Sequence, residues 1–249
     1  VAGAGDLLDA DAGVDLDATA TVTFSDNDGM TADIVVTGLD RVAAGDVLLE
    51  GKVALLAHPA SVDSRLVHAR QVLAARGVEL VAIFGPEHGY GGEAQDMIHV
   101  GDTRDPGGVP IHSLYGSTLE TLSPTSDQLA GVDALVVDLQ DVGSRYYTYV
   151  WTAALALKVA ATHGVRTVVL DRPNPLGGVL VEGEPQRPGY RSFVGLYDVS
   201  VRHGMTIGEI ASMVREVEGL DAAALEVVEM AGWERAMTFE QTGLSWVLP

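Results

Sequence analysis

From residue 51 onward the chain alternates between unbroken apolar runs and stretches where apolar residues recur every three or four positions. Val53-Ala54-Leu55-Leu56-Ala57, residues 79–84, Ala134-Leu135-Val136-Val137-Asp138 and Thr167-Val168-Val169-Leu170 are too short for helices. They are also too continuously apolar for a sheet with one wet face. They predict strands covered on both sides. Ile111-His112-Ser113-Leu114 predicts a further short strand. Between these runs, residues 64–76 place Leu66, Val67, Val72 and Leu73 at helical spacing, and 148–163 and 206–217 also read as helices. Continuous apolar strands alternating with helices predict an α/β fold: a mostly parallel sheet with helices on both faces.

Residues 1 to about 33 break this pattern. Eight aspartates fall there with no lysine or arginine. Residues 18–24 read as an exposed strand, and Asp26-Asn27-Asp28-Gly29 as a turn. Asp9-Ala10-Asp11-Ala12-Gly13 has the flavour of a calcium loop but not the ligand register of an EF-hand, so a solvated acidic tail is the better reading. The whole chain of 249 residues carries a net charge of −20 with 47% apolar residues. The apolar share supports a full core, and the charge disfavours nucleic acid and anionic membrane surfaces as partners. Lysine occurs only at Lys52 and Lys158, which fits a salt-adapted or GC-rich source. There is no cysteine, so thiolate chemistry and disulfides are excluded. No apolar stretch reaches the roughly 18 residues of a membrane span, and no signal peptide is visible.

In open α/β sheets ligands bind beyond the carboxyl ends of the strands. Three post-strand segments here are rich in charge, amide and glycine. The first, Phe84-Gly85-Pro86-Glu87-His88-Gly89, sets a carboxyl and an imidazole on a loop stiffened by glycine and proline. Glu87 is the leading candidate for a general acid, against the plainer reading of a helix-capping glutamate. His88 can tune Glu87, bind substrate or be structural. The second, 138–147, offers Asp138, Gln140, Asp141, Arg145, Tyr146 and Tyr147; the third, 171–178, offers Asp171, Arg172 and Asn174. Asp138, Asp141 and Asp171 are each candidates for a second carboxylate; Asp141 and Asp171, with Arg145 and Arg172 adjacent or nearby, can instead be loop-stabilising salt bridges. Arginine suits a carboxylate-bearing ligand, and Gln140 and Asn174 suit sugar hydroxyl or amide groups. Tyr146, Tyr147 and Tyr149 can line a sugar-stacking wall or begin the next helix, with burial favoured for Tyr149. His58, His68, His88, His99, His112 and His203 are scattered without metal-ligand spacing. The dinucleotide fingerprint, Walker loop and nucleophile elbow are absent. No metal and no cofactor are expected.

Four stretches together resemble the NamZ-type exo-β-N-acetylmuramidase family: 84–89, 138–149, 170–183 (LDRPNPLGGVLVEG) and 191–209 (RSFVGLYDVSVRHGMTIGE). The closing Gly232-Trp233-Glu234-Arg235 and Thr242-Gly243-Leu244-Ser245-Trp246-Val247 fit as well. The resemblance implies a glycoside hydrolase that releases N-acetylmuramic acid from the non-reducing ends of peptidoglycan fragments during cell-wall turnover or recycling. The expected partner is a peptidoglycan-derived sugar or muropeptide, in a periplasmic or secreted setting. The alternative is a non-catalytic cell-wall sugar binder or an inactive fragment; a metal-dependent hydrolase ranks below both. The matching catalytic residue is Glu87, with His88, Asp141 and Asp171 as further catalytic candidates. Gln140, Arg145, Tyr146, Arg172, Asn174 and His203 are expected to bind substrate. The implied organisation is an acidic extension (1–36), a Rossmann-like catalytic domain (37–218) and the beginning of a smaller C-terminal domain (219–249). The family's pattern continues past Trp246-Val247-Leu248-Pro249.

Overall fold

The computed structural model describes residues 34–87, 89–91, 103–116, 119–187 and 189–249. The acidic loop, strand and turn expected before residue 30 lie outside the described residues, as do His88 and His99. The described residues belong to one compact unit.

Among the described residues are strands β1 (Lys52–Ala57), β2 (Glu79–Gly85), β3 (Thr103–Arg104), β4 (Pro110–Ser113), β5 (Ala134–Asp138), β6 (Arg166–Leu170) and β7 (Leu225–Val228). The helices are α1 (Gly38–Ala44), α2 (Ala69–Ala75), α3 (Tyr149–Thr162) and α4 (Ile207–Val217). The strands make one sheet in the order β3-β4-β2-β1-β5-β6-β7. All pairings are parallel except β3 with β4. Leu55 of β1 is in register with Ile83 on one side and Val136 on the other. The expected mostly parallel α/β architecture is therefore present.

Strand periodicity divides the core into two layers. Val53, Leu55, Ala57, Ala134, Val136, Val168 and Leu170 pack with Leu39 and Val42 of α1 and Ala69, Val72 and Leu73 of α2. Ala54, Leu56, Leu135, Val137 and Val169 point the other way, into a layer built by α3 and α4 around the fully buried Trp151. Each such aliphatic side chain contributes about 1.5–3 kcal/mol on burial. This is why the buried middles of β1, β2 and β5 are continuously apolar.

Three helices start on side-chain caps. Thr37 and Asp40 form a capping box on α1, Thr206 and Glu209 form one on α4, and the His68 ring accepts the Arg70 N–H at the start of α2. The helix expected over 64–76 begins only at Ala69. Asp63 Oδ1 accepts the N–H groups of Arg65 and Val67 at 2.9 and 2.8 Å, and Leu66 sits at φ 64°, so this stretch closes as a turn. Residues 219–249, expected to begin a second domain, add β7 to this same sheet and fold back onto its start: Val36 bridges Ala231 and the Val35 N–H donates to the Thr242 carbonyl.

Strand order reverses at β1, which lies between β2 and β5. Two bonds stitch the crevice beyond these strand ends. The Gln140 N–H donates to His58 Nε2 at 2.9 Å, and the Ser61 hydroxyl donates to the Asp138 carbonyl. A cavity of about 20 Å³ remains there, room for about one water, under Phe239 and Trp246 of the closing segment.

Candidate active site

The loop after β2 is tight. Gly85 is packed so closely against the backbone of Gly89 and Tyr90 that a Cβ could not fit there. Gly89 takes φ 78° and its N–H donates to the Pro86 carbonyl at 2.8 Å. Glu87 stands in this turn, half-buried. Its Oε2 accepts the Thr148 hydroxyl at 2.6 Å, and its backbone carbonyl accepts the Tyr149 hydroxyl at 3.2 Å. The loops after β2 and β5 therefore meet at the start of α3.

The Tyr147 and Tyr149 rings lie 4.6 Å apart and their hydroxyls are hydrogen-bonded. Burial holds both phenols above their ordinary range; for Tyr147 the neighbouring Tyr149, then Asp141 and Glu87, push the same way. The fields of Glu87 and Asp141 thus converge on Tyr147. Tyr149 is buried, as expected, while Tyr146 is 56% exposed.

Asp141 is buried and accepts the Gly143 N–H at Oδ2, 2.9 Å. His203 Nε2 lies 3.1 Å from the same oxygen, yet off the angle of a hydrogen bond, so neither that nitrogen nor Asp141 Oδ1 has a hydrogen-bond partner among the described residues. His203 Nδ1 accepts the Met205 N–H at 3.2 Å, which leaves the ring proton of the neutral imidazole on Nε2.

Arg145 is 6% exposed. Its Nη1 donates to the carbonyls of Glu184 (2.9 Å) and Val199 (2.7 Å), and its Cζ lies 5.2 Å from the Tyr146 ring centroid. No carboxylate pairs with it among the described residues, and Nε has no partner there. Arg172, in contrast, is committed to Asp138 through a buried two-point bridge at 2.6 and 2.8 Å, with a further bond to the Val62 carbonyl. The Gln140 amide nitrogen donates to the carbonyls of Asp141 (2.8 Å) and Pro173 (3.0 Å), joining the second post-strand loop to the third. Asn174 uses both ends of its amide on the Leu176 N–H and the Met205 carbonyl.

Asp171 lies on the far side of this group. Its Oδ1 accepts the Gly208 N–H at 2.8 Å and its Oδ2 the Thr206 hydroxyl at 2.9 Å, so it clamps the start of α4 to the end of β6. Burial pushes its carboxyl up to about 6 against the opposing pull of those bonds. It borders a groove of about 490 Å³ shared with Met205, Glu209, Trp233 and Arg235, and the last of these pairs with Glu209. Glu87 lines neither this groove nor the small cavity under Trp246.

Sequence reasoning passed over Thr148 and His58. A threonine heading a helix reads as an ordinary cap, and His58 follows a strand without a charged neighbour. His58 is fully buried, and burial together with the positive Arg172 holds its imidazole well below the usual range. Because its Nε2 accepts from Gln140, the ring proton sits on Nδ1. Among the described residues no three His, Asp or Glu side chains gather as a metal-binding set.

Fold and site together define an open α/β domain with a half-buried carboxyl at the strand rim, beside Thr148, Tyr147 and Tyr149. Residues 53–249 match the family model for the N-terminal part of the exo-β-N-acetylmuramidase NamZ. The chain belongs to that family. It is 45% identical over 219 residues to the peptidoglycan β-N-acetylmuramidase NamZ of Bacillus subtilis (strain 168), covering 86% of this chain and 52% of the relative. Two crystal structures of DUF1343 family proteins from Bacteroides fragilis NCTC 9343 share the fold. One has TM-score 0.77 at 37% identity over 86% of this chain and 54% of that one. The other has TM-score 0.67 at 29% identity over 82% and 54%. The chain thus spans about half the length of these relatives.

Proposed function

We propose that this chain carries the acid-catalytic part of an exo-β-N-acetylmuramidase, a hydrolase that releases terminal N-acetylmuramic acid from the non-reducing end of peptidoglycan fragments. The supporting observation is Glu87: a half-buried carboxyl in a glycine-braced turn, held at one oxygen by Thr148 and at its backbone by Tyr149. A general acid needs this fixed geometry. Glu87 gives its proton to the glycosidic oxygen as the C–O bond breaks; a water adds at the sugar carbon and gives up a proton to a carboxylate, so that the enzyme ends as it began.

Strands are spaced about 4.8 Å apart. Asp141 follows β5, two positions from β2 and so roughly 10 Å along the rim; Asp171 follows β6, roughly 14 Å away. Paired glycosidase carboxylates stand about 5–5.5 Å or 6.5–9.5 Å apart. On this reading Asp171 serves the architecture by clamping α4. Asp141, buried and with Oδ1 unpartnered among the described residues, is taken as the second carboxylate. Arg145 is assigned the lactyl carboxylate that distinguishes muramic acid, and Tyr146 a sugar face. Arg172, Gln140 and Asn174, already engaged, shape the wall. His203, 3.1 Å from Asp141 Oδ2, flanks that carboxylate.

A peptidoglycan substrate supports a periplasmic or secreted setting. No helix among the described residues is long and apolar enough to cross a membrane. The test is Glu87→Gln, which keeps shape and removes the acid. Release of the sugar from a chromogenic N-acetylmuramic acid glycoside should fall at least about a hundredfold, with the circular dichroism spectrum unchanged. Turnover equal to that of the parent refutes the assignment.

A further inference from the structure

We infer that Thr148 is a positioning residue for Glu87, fixing which carboxyl oxygen carries the proton; this rests on the reading of Glu87 as the proton donor. Thr148 occupies the N-cap of the 14-residue helix α3, yet it makes no side-chain cap hydrogen bond. Its ψ of −11° is helical, unlike the extended backbone of Thr37, His68 and Thr206, whose side chains cap the other three helices. A threonine cap is worth about 1 kcal/mol. At α3 the hydroxyl is instead turned to a residue 61 positions earlier, Glu87 Oε2 at 2.6 Å. A local rule broken in this way marks a functional constraint.

Thr148 is 7% exposed, so its hydroxyl has little access to water. If Oε2 carried the proton and donated to Thr148, the threonine hydrogen would give up the acceptor it has in Oε2, and a buried donor left unsatisfied is costly. The favoured arrangement has Thr148 donating to Oε2 and the transferable proton on Oε1. When that proton leaves, the bond at Oε2 becomes charge-assisted and about twice as strong. The N-terminal end of α3, which Thr148 heads, also favours the negative charge. Both interactions are stronger after proton transfer than before it, which is the requirement for lowering the barrier.

Thr148→Val removes the hydroxyl and keeps the shape. In the full chain, kcat on a chromogenic N-acetylmuramic acid glycoside should fall at least about tenfold, with KM within about twofold. Thr148→Ser should recover kcat to within about threefold, because the hydroxyl is what matters. Thermal stability of T148V should stay within about 2 °C of the parent, since α3 draws no cap from this side chain. A readout independent of turnover is the Glu87 Cδ resonance, identified by its loss in E87Q. In T148V it should titrate about half a pH unit or more higher, the ionised form having lost a donor. Parental kcat in T148V, failure of serine to restore it, or an unmoved carboxyl titration each overturns the inference. Full turnover in E87Q removes the underlying reading instead, and the titration then decides alone whether Thr148 governs this carboxyl.

Discussion

Asp171 shows how one residue's surroundings decide its work. The unfolded carboxyl titrates near 3.8, whereas burial lifts the folded one to about 6. Between these values the folded chain holds a proton that the unfolded chain has released, so raising the pH favours unfolding. The stability tied to this group is fully present below about pH 4 and lost as pH climbs through about 6, up to about 3 kcal/mol in all. Asp171→Asn should flatten that slope, and urea midpoints at pH 4, 5 and 6 measure it. An unchanged slope would place the titration elsewhere. The sequence revealed a carboxylate at a strand end. It could not reveal that Thr206 and Gly208, 35 and 37 residues later, would occupy both oxygens. A salt bridge to Arg172 was expected from Asp171, its chain neighbour, whereas Arg172 reaches back 34 residues to Asp138 and Asp171 is taken by α4. Thr148 escaped notice because the same hydroxyl that contacts Glu87 is also what a helix start ordinarily requires.

At the scale of elements, long periodic segments were readable and short ones were not. β1, β2, β5 and β6 follow from unbroken apolar runs, and α3 and α4 fall within a residue of the expected bounds. β7 has only four residues, two of them half-buried, and α1 has seven, headed by a glycine. Gly38 is there for packing. A Cβ at this position would lie 2.6 Å from the Asp171 nitrogen and 2.7 Å from Leu170 Cα, both backbone atoms of β6 and its exit. Gly38→Ala must therefore lift α1 off the sheet, and a loss of about 1–3 kcal/mol in urea unfolding is expected. A neutral result would mean that α1 is free to shift. The turn at 63–67 shows the converse failure: Leu66 and Val67 carry helical spacing, but Asp63 binds the backbone first.

At the scale of the whole molecule, the net charge of −20 sets an electrostatic penalty on compactness. The Debye length shrinks from about 10 Å at 0.1 M salt to about 3 Å at 1 M. The melting temperature should therefore rise by several degrees over that range in sodium chloride, as followed by circular dichroism. A flat or falling curve would mean that attractive pairs such as Arg70–Asp105 and Arg166–Glu226 outweigh the repulsion. The Gln140 side chain has a broader effect. Because one amide nitrogen grips the carbonyls of both Asp141 and Pro173, the two rim loops cannot loosen separately. Any ligand that settles against these loops meets a mould set before its arrival, so little of its binding energy is diverted to freezing the wall.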